Sequence, residues 1–303
     1  GLSIGIVVPI WAEFLNKTTL ISERGRFFGL GFSFNSIGSF IGGIALRVLL
    51  NSDIPFPKNF GIGFIVLFVS ITLGTLVFWF YRVKPATKIY RHRTIKDFIT
   101  ETKQIVTGHR NFQKYLLSRI FFCASLPGMG LYAIYCQNKF NFDISEAGIF
   151  TVLNVIASGT TSYLVGKLGD RWGHKLGMMI AYVAHFSAVI LAINAQNMYW
   201  VYGIFMAIGA GQGAFMPSAM NLVYDFAEER DSKTYMALID SFMAPFVVFF
   251  LAGIGFLVQQ NNYSLVLNIL GGCLLFSIIL LHFLVQDPRL SKEPAIYTDR
   301  FSS

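Results

Sequence analysis

Acidic residues are scarce in this chain. Asp and Glu number 16 of 303 residues, and charged residues of both signs make up only 13%. A soluble domain carries about 25% charge, so the usual water-facing surface is missing. Cysteine is scarce too. The three present, Cys123, Cys136 and Cys273, are odd in number and lie in apolar runs. They read as small core residues, not as bridges or metal ligands. No Walker loop occurs, which argues against ATP as the driving force. His92, His109, His174, His185 and His282 are scattered without metal-ligand spacing, and no nucleophile has a neighbouring base on one membrane face. These absences exclude disorder, a secreted disulfide scaffold and an ordinary cytosolic enzyme.

What the chain has is apolar length. Hydrophobic residues reach 54%, with 31 Phe. Complete spans are predicted at 27–50, 61–81, 115–136, 146–165, 176–194, 199–223, 236–258 and 264–285. Each is about the 17–25 residues that a helix needs to cross the hydrocarbon core. Residues 1–14 are apolar but too few to cross, and they do not have a signal peptide's charged start and cleavage site. They are expected to be the second half of a severed helix. The composition therefore specifies an all-α, polytopic membrane protein.

The net charge of +8 follows the crossings. Alternate connections hold 20 of the 24 Lys and Arg residues, nine of them in 82–114, whereas the intervening ones hold only Lys58 and Lys139. The positive-inside rule places segment 13–26, the 82–114 connection and the C-terminal tail in the cytoplasm. A nucleic-acid-binding face would not alternate with the spans. Within 82–114, Thr94 followed by Asp97 suggests a helix N-cap, and Ile95, Phe98, Ile99, Ile105 and Val106 share one face. A short interfacial helix is expected there, with a solvated linker as the alternative.

Six helices follow this linker and two and a half precede it. Four segments are predicted: 1–81 as the remnant of a first six-helix bundle, 82–114 as the linker, 115–286 as a second six-helix bundle and 287–303 as a tail. A weak internal repeat supports two halves. Glu23-Arg24 and Glu229-Arg230 each precede a helix rich in small residues, at an offset of 206.

One connection carries a motif. Gly166-Lys167-Leu168-Gly169-Asp170-Arg171-Trp172-Gly173-His174-Lys175 resembles the signature loop of the major facilitator superfamily, with His174 in place of the first closing basic residue. The resemblance covers ten residues by motif and the whole chain by topology. It implies a two-bundle fold with the first three and a half helices absent from this chain. It also implies that Gly166, Gly169, Asp170, Arg171, Gly173 and Lys175 form a gating loop that latches the two halves and releases as they rock. Independently, the glycines permit close helix ends, and Asp170 can accept amides at the start of a facing helix. By the resemblance, Asp170 is expected to meet the start of span 27–50, near Arg24 and Arg26. In that span Gly38-Ser39-Phe40-Ile41-Gly42-Gly43 resembles the core of the antiporter motif of proton-coupled exporters, although a glycine face for helix packing explains it equally well.

Ionisable groups inside the hydrocarbon are costly and need a reason. Arg119 and Asp240 lie at similar depth, and they are expected to pair or to share a water-filled cavity, with Asp240 a candidate proton carrier. His185 is expected to be a packing residue. Pro127-Gly128-Met129-Gly130 and the Gly209–Pro217 stretch interrupt two helices at mid-depth, as suits cavity walls. Tyr132, Tyr135 and Gln212 lead the substrate-contact candidates, followed by Asn154 and Asn35. The implied activity is secondary active transport of a small solute by alternating access, coupled to an ion, H+ by preference, with a slight lean to export. No catalytic residue, metal or cofactor is expected. The partners are the solute, the coupling ion and the lipid bilayer, not nucleic acid, with a monomer expected for the full-length protein in a bacterial inner membrane. Alternatives are a transporter-like sensor or scaffold that moves nothing, and a membrane-embedded enzyme.

Overall fold

The computed structural model describes residues 11, 14–15, 19–50, 52–55, 57–80, 95–126, 128–142, 146–227 and 232–290. Ten α-helices and three one-turn 3-10 segments make up the regular structure of these residues, with no strand among them. The helices are α1 (Arg24–Leu50), α2 (Lys58–Val77), α3 (Ile95–Gly108), α4 (Arg110–Phe122), α5 (Gly128–Phe140), α6 (Glu146–Trp172), α7 (His174–Asn194), α8 (Met198–Ala227), α9 (Ser232–Gln259) and α10 (Tyr263–Leu284). Seven stretches among the described residues are long and apolar enough to cross a membrane. The chain is an integral membrane protein.

Helix α8 is not one of those seven, although the sequence predicts a span at 199–223. Its glycines and Gln212 lower its apolarity, which its position compensates. It sits at the centre of the bundle, packed between α6 and α7, with more than half of its 30 residues buried. Backbones come close here. A Cβ on Gly209 or Gly213 would strike the backbone of α6 at Asn154 or Ser158, and one on Gly211 would strike the His185 ring of α7. The glycines expected to bend a cavity helix serve here to seat α8 against two neighbours. Asn221 Nδ2 donates to the Pro217 carbonyl at 2.8 Å inside this helix.

Around this core α10 packs on α4 and α7, and α9 lies against α8 and the 3-10 turn Cys123–Ser125. Span 115–136 is not one continuous helix. It starts earlier, at Arg110, where His109 Nδ1 accepts the Phe112 amide at 3.2 Å, and it breaks into α4, the 3-10 turn and α5. The expected interruption is therefore present, while Pro127 itself lies outside the described residues. Helix α3 occupies the place of the expected interfacial helix; Thr94 and residues 82–93 lie outside the described residues.

The first two spans pack unevenly. One half of α1 lies on α6, whereas Gly38, Gly42 and Gly43 face open space. The glycine face of that segment therefore meets none of the described residues. On α2 only Asn59 is buried.

Candidate functional site

The signature segment is not a loop over most of its length. Helix α6 continues to Trp172 and α7 begins at His174, so Gly173 alone makes the turn. Its φ of +89° lies where only glycine is unstrained. The same residue needs a bare Cα for a second reason: a Cβ would enter the Asp287 carboxylate. Asp287, just beyond α10, accepts the Lys175 amide at 2.9 Å through Oδ2 and so caps the start of α7. Gly173→Ala is expected to cost at least about 1–3 kcal/mol, lowering the melting temperature of the detergent-solubilised protein. An unchanged melting temperature would show that the turn relaxes.

Gly166 and Gly169 lie within the last turns of α6 and act as approach surfaces. A Cβ on Gly29 of α1 would meet the Ser162 carbonyl at 2.7 Å and Gly166 Cα at 2.9 Å. Farther along the same seam, Ser33 Oγ donates to the Gly159 carbonyl at 2.7 Å. At the end of this seam Asp170 receives two backbone amides of α1. Gly25 N donates to Oδ1 at 2.7 Å and Arg26 N to Oδ2 at 2.6 Å. Both amides belong to the first turn, where no intrahelical partner exists and the helix dipole favours an anion. One carboxylate thus ties α6 to a helix 144 residues away in sequence.

His174, the departure from the signature, has a structural explanation. Its ring is buried, and it fills the space that Gly25 and Gly169 leave by having no side chain. The cation comes instead from Arg289, five residues beyond α10. Its guanidinium reaches the Gly169 carbonyl at 3.3 Å, His174 Nε2 at 3.3 Å, Asp170 Oδ1 at 3.8 Å and Asp225 Oδ1 at 3.5 Å. Asp225, on the last turn of α8 and two residues beyond span 199–223, has a side chain only 6% exposed. Burial lifts its carboxyl to about 7, with Asp287 and Asp170 adding to the rise and Arg289 and Arg24 opposing it. Arg24 stacks over the Tyr224 ring at 4.8 Å, and Phe28 stacks on the same ring. The start of α1 is therefore held by Asp170 and by an aromatic contact with the end of α8. Neither Asp225 nor Arg289 stands out in the sequence. An acid placed one turn beyond a span and an Arg following Asp287-Pro288 were the available signals.

Arg171 is exposed and lies over Trp172 at 5.5 Å, outside the network. Lys175 Nζ donates to the His282 carbonyl at 3.0 Å.

The predicted cavity residues separate into two groups. Tyr135 donates to the Ala192 carbonyl at 3.0 Å, Asn154 Nδ2 to the Phe205 carbonyl at 3.4 Å, and Tyr132 is buried. These three are engaged in packing. Gln212 and Asn35 are exposed. Gln212 shares its face of α8 with exposed Met216, between the glycines that meet α6 and Phe215, which stacks on Phe122 of α4. Arg119 lies beside this face, its guanidinium over Phe215 at 4.6 Å and Nη1 donating to Tyr115 Oη at 3.3 Å. Asp240 is exposed on α9, and it forms no ion pair with Arg119 among the described residues. Of the two expected arrangements, direct pairing is not made in this conformation, and a shared cavity is left as the other. His185 packs edge-on against Phe122 and against Gly211, as its position in mid-span suggests.

Residues 116–300 match the family model described as Major Facilitator Superfamily. The chain is 25% identical over 229 residues to the tetracycline resistance protein, class B, of Escherichia coli. That match covers 72% of this chain and 54% of the relative, so the chain spans about half the length of the curated relative it matches. Its fold is similar to the crystal structure of a bacterial homologue of the iron transporter ferroportin in an outward-facing state. The TM-score there is 0.60 at 14% identity, covering 91% of this chain and 66% of that one.

Proposed function

Because the chain belongs to the Major Facilitator Superfamily, we propose that it serves as a secondary active transporter, carrying a small solute by alternating access. The end bearing the signature segment faces the cytoplasm by the positive-inside rule. The observation that carries the proposal is the pair of Asp170 bonds to the first turn of α1. They join α1, which we assign to one bundle, to α6 of the other at a single end, as an inner gate requires. Coupling to H+ draws on Asp240, an exposed carboxylate inside a span with Arg119 nearby on α4. Protonation of Asp240 would free Arg119 for the solute, and deprotonation would draw the two together. Gln212 and Asn35 are the preferred solute contacts. The lean to export rests on the glycine-rich segment of α1.

The test is flux into proteoliposomes containing the full-length protein, with tetracycline and iron as first probes because they are named with a sequence relative and a fold neighbour. An imposed pH gradient is expected to drive accumulation. Asp240→Asn should abolish gradient-driven accumulation while leaving equilibrium exchange, and Gln212→Ala should weaken the apparent affinity. Unchanged gradient-driven accumulation in Asp240→Asn would remove that residue from the coupling. Absence of exchange across a broad solute panel would instead favour a sensor or scaffold.

A further inference from the structure

We propose that a groove between the start of α7 and the end of α10 binds one anionic phospholipid of the cytoplasmic leaflet, an assignment that rests on the sidedness inferred above. The groove has a volume of about 560 Å³. Leu176, Met179 and Val285 line it together with Trp172, Phe283 and Leu290, the last three well exposed. Its cation is Lys175, whose ammonium gives one proton to the His282 carbonyl. The acid in the groove, Asp287, is already engaged, accepting the amides of Lys175 and Arg289. Arg171, exposed over Trp172, adds a second positive charge at the rim.

The walls do not end at the groove. On α7, exposed Val183 and Ile190 continue from Leu176 at seven-residue steps. On α10, exposed Phe276 and Ile279 continue from Phe283. An apolar track therefore runs from the lysine along two helices toward the bilayer centre. A soluble anion would use the lysine alone. A phospholipid uses both features, with its phosphate on Lys175 and Arg171 and one acyl chain along the track. The position has a consequence for the gate. Lys175 and Asp287 bracket the turn that aims Arg289 at Asp170 and Asp225, so a phosphate held on Lys175 braces the latch from outside.

The experiment uses full-length protein in phosphatidylcholine vesicles, reading Trp172 as the fluorescence difference between the unmodified protein and Trp172→Phe. Acyl-brominated phosphatidylglycerol is compared with acyl-brominated phosphatidylcholine at equal mole fraction. The expected result is preferential quenching by phosphatidylglycerol, about fivefold in relative affinity for each basic residue engaged. The preference should disappear in Lys175→Gln with Arg171→Gln, and it should weaken as salt rises to about 1 M. Equal quenching by the two lipids, or a preference that survives in the double variant, would overturn the assignment. Displacement by millimolar sn-glycerol 3-phosphate would also overturn it, in favour of a soluble anion. If the double variant does not fold, a preference unaffected by salt in the unmodified protein is the overturning result. None of these readings depends on flux, so failure here is distinct from failure of the transport proposal.

Discussion

Asp170→Asn is expected to abolish net transport while leaving membrane insertion and fold intact. The carboxylate offers one oxygen to each of two first-turn amides, at 2.7 and 2.6 Å. Asn keeps one acceptor, loses the charge that the α1 dipole favours, and points an NH2 group at an amide that also needs an acceptor. Charge-assisted bonds of this kind contribute about 1.5–3 kcal/mol each, so the loss is about 2–3 kcal/mol. That is about a 30- to 150-fold shift in the balance between closed and open inner gate. The effect falls mainly on the gate equilibrium, because within its own bundle α6 loses only the longer Asp170–Arg289 pair, at 3.8 Å. Solute counterflow should fall toward background, while nitroxides at Glu23→Cys and Lys167→Cys, both exposed positions, should move apart. Transport at the unmodified rate with an unchanged label distance would show that Asp170 is only a polar cap.

The Asp170 contact was legible because the glycines and the acid suit a facing helix start, and the resemblance of the signature segment pointed to the start of span 27–50. The division of labour among the glycines was not. Sequence spacing treats Gly166, Gly169 and Gly173 alike, yet only Gly173 has a positive φ; the other two are helical and bare for the sake of a neighbour. Which neighbour is a tertiary fact, and for Gly169 it is His174. Likewise, Gly and Gln in α8 suggest a bent cavity wall, whereas Gly209, Gly211 and Gly213 meet α6 and α7, and Gln212 alone of these four residues is exposed. Spacing gives the depth of Arg119 and Asp240 along their spans but not their azimuth, so their similar depth could not show whether they touch. Arg289 stayed hidden because the tail folds back by 120 residues to reach the Gly169 carbonyl.

The inner gate is also expected to close more tightly in acid, through Asp225. In the closed form this carboxyl is buried and raised to about 7, against an ordinary value of 3.8 that it would regain once wetted by opening. Arg289 at 3.5 Å favours the anion, but Asp170 and Asp287 share that guanidinium's surroundings, and burial dominates. The sign follows from the raised value. Between about pH 4 and 7 the closed form binds a proton that the open form has released. The closed gate is therefore favoured at the acid end and loses that advantage as pH rises through this window, by at most about tenfold per pH unit. Above about 7 both forms are ionised and the dependence flattens. Asp225→Asn should hold the Glu23–Lys167 label distance short and independent of pH between 5 and 7, since Asn imitates the protonated acid. His174 lies 3.9 Å from Asp225, but burial with the Arg289 and Arg24 charges lowers its imidazole to about 3, so its titration would give the opposite slope, opening the gate in acid. His174→Gln should retain the slope if Asp225 is the origin. Closure in acid that persists unchanged in Asp225→Asn would refute the role given to Asp225.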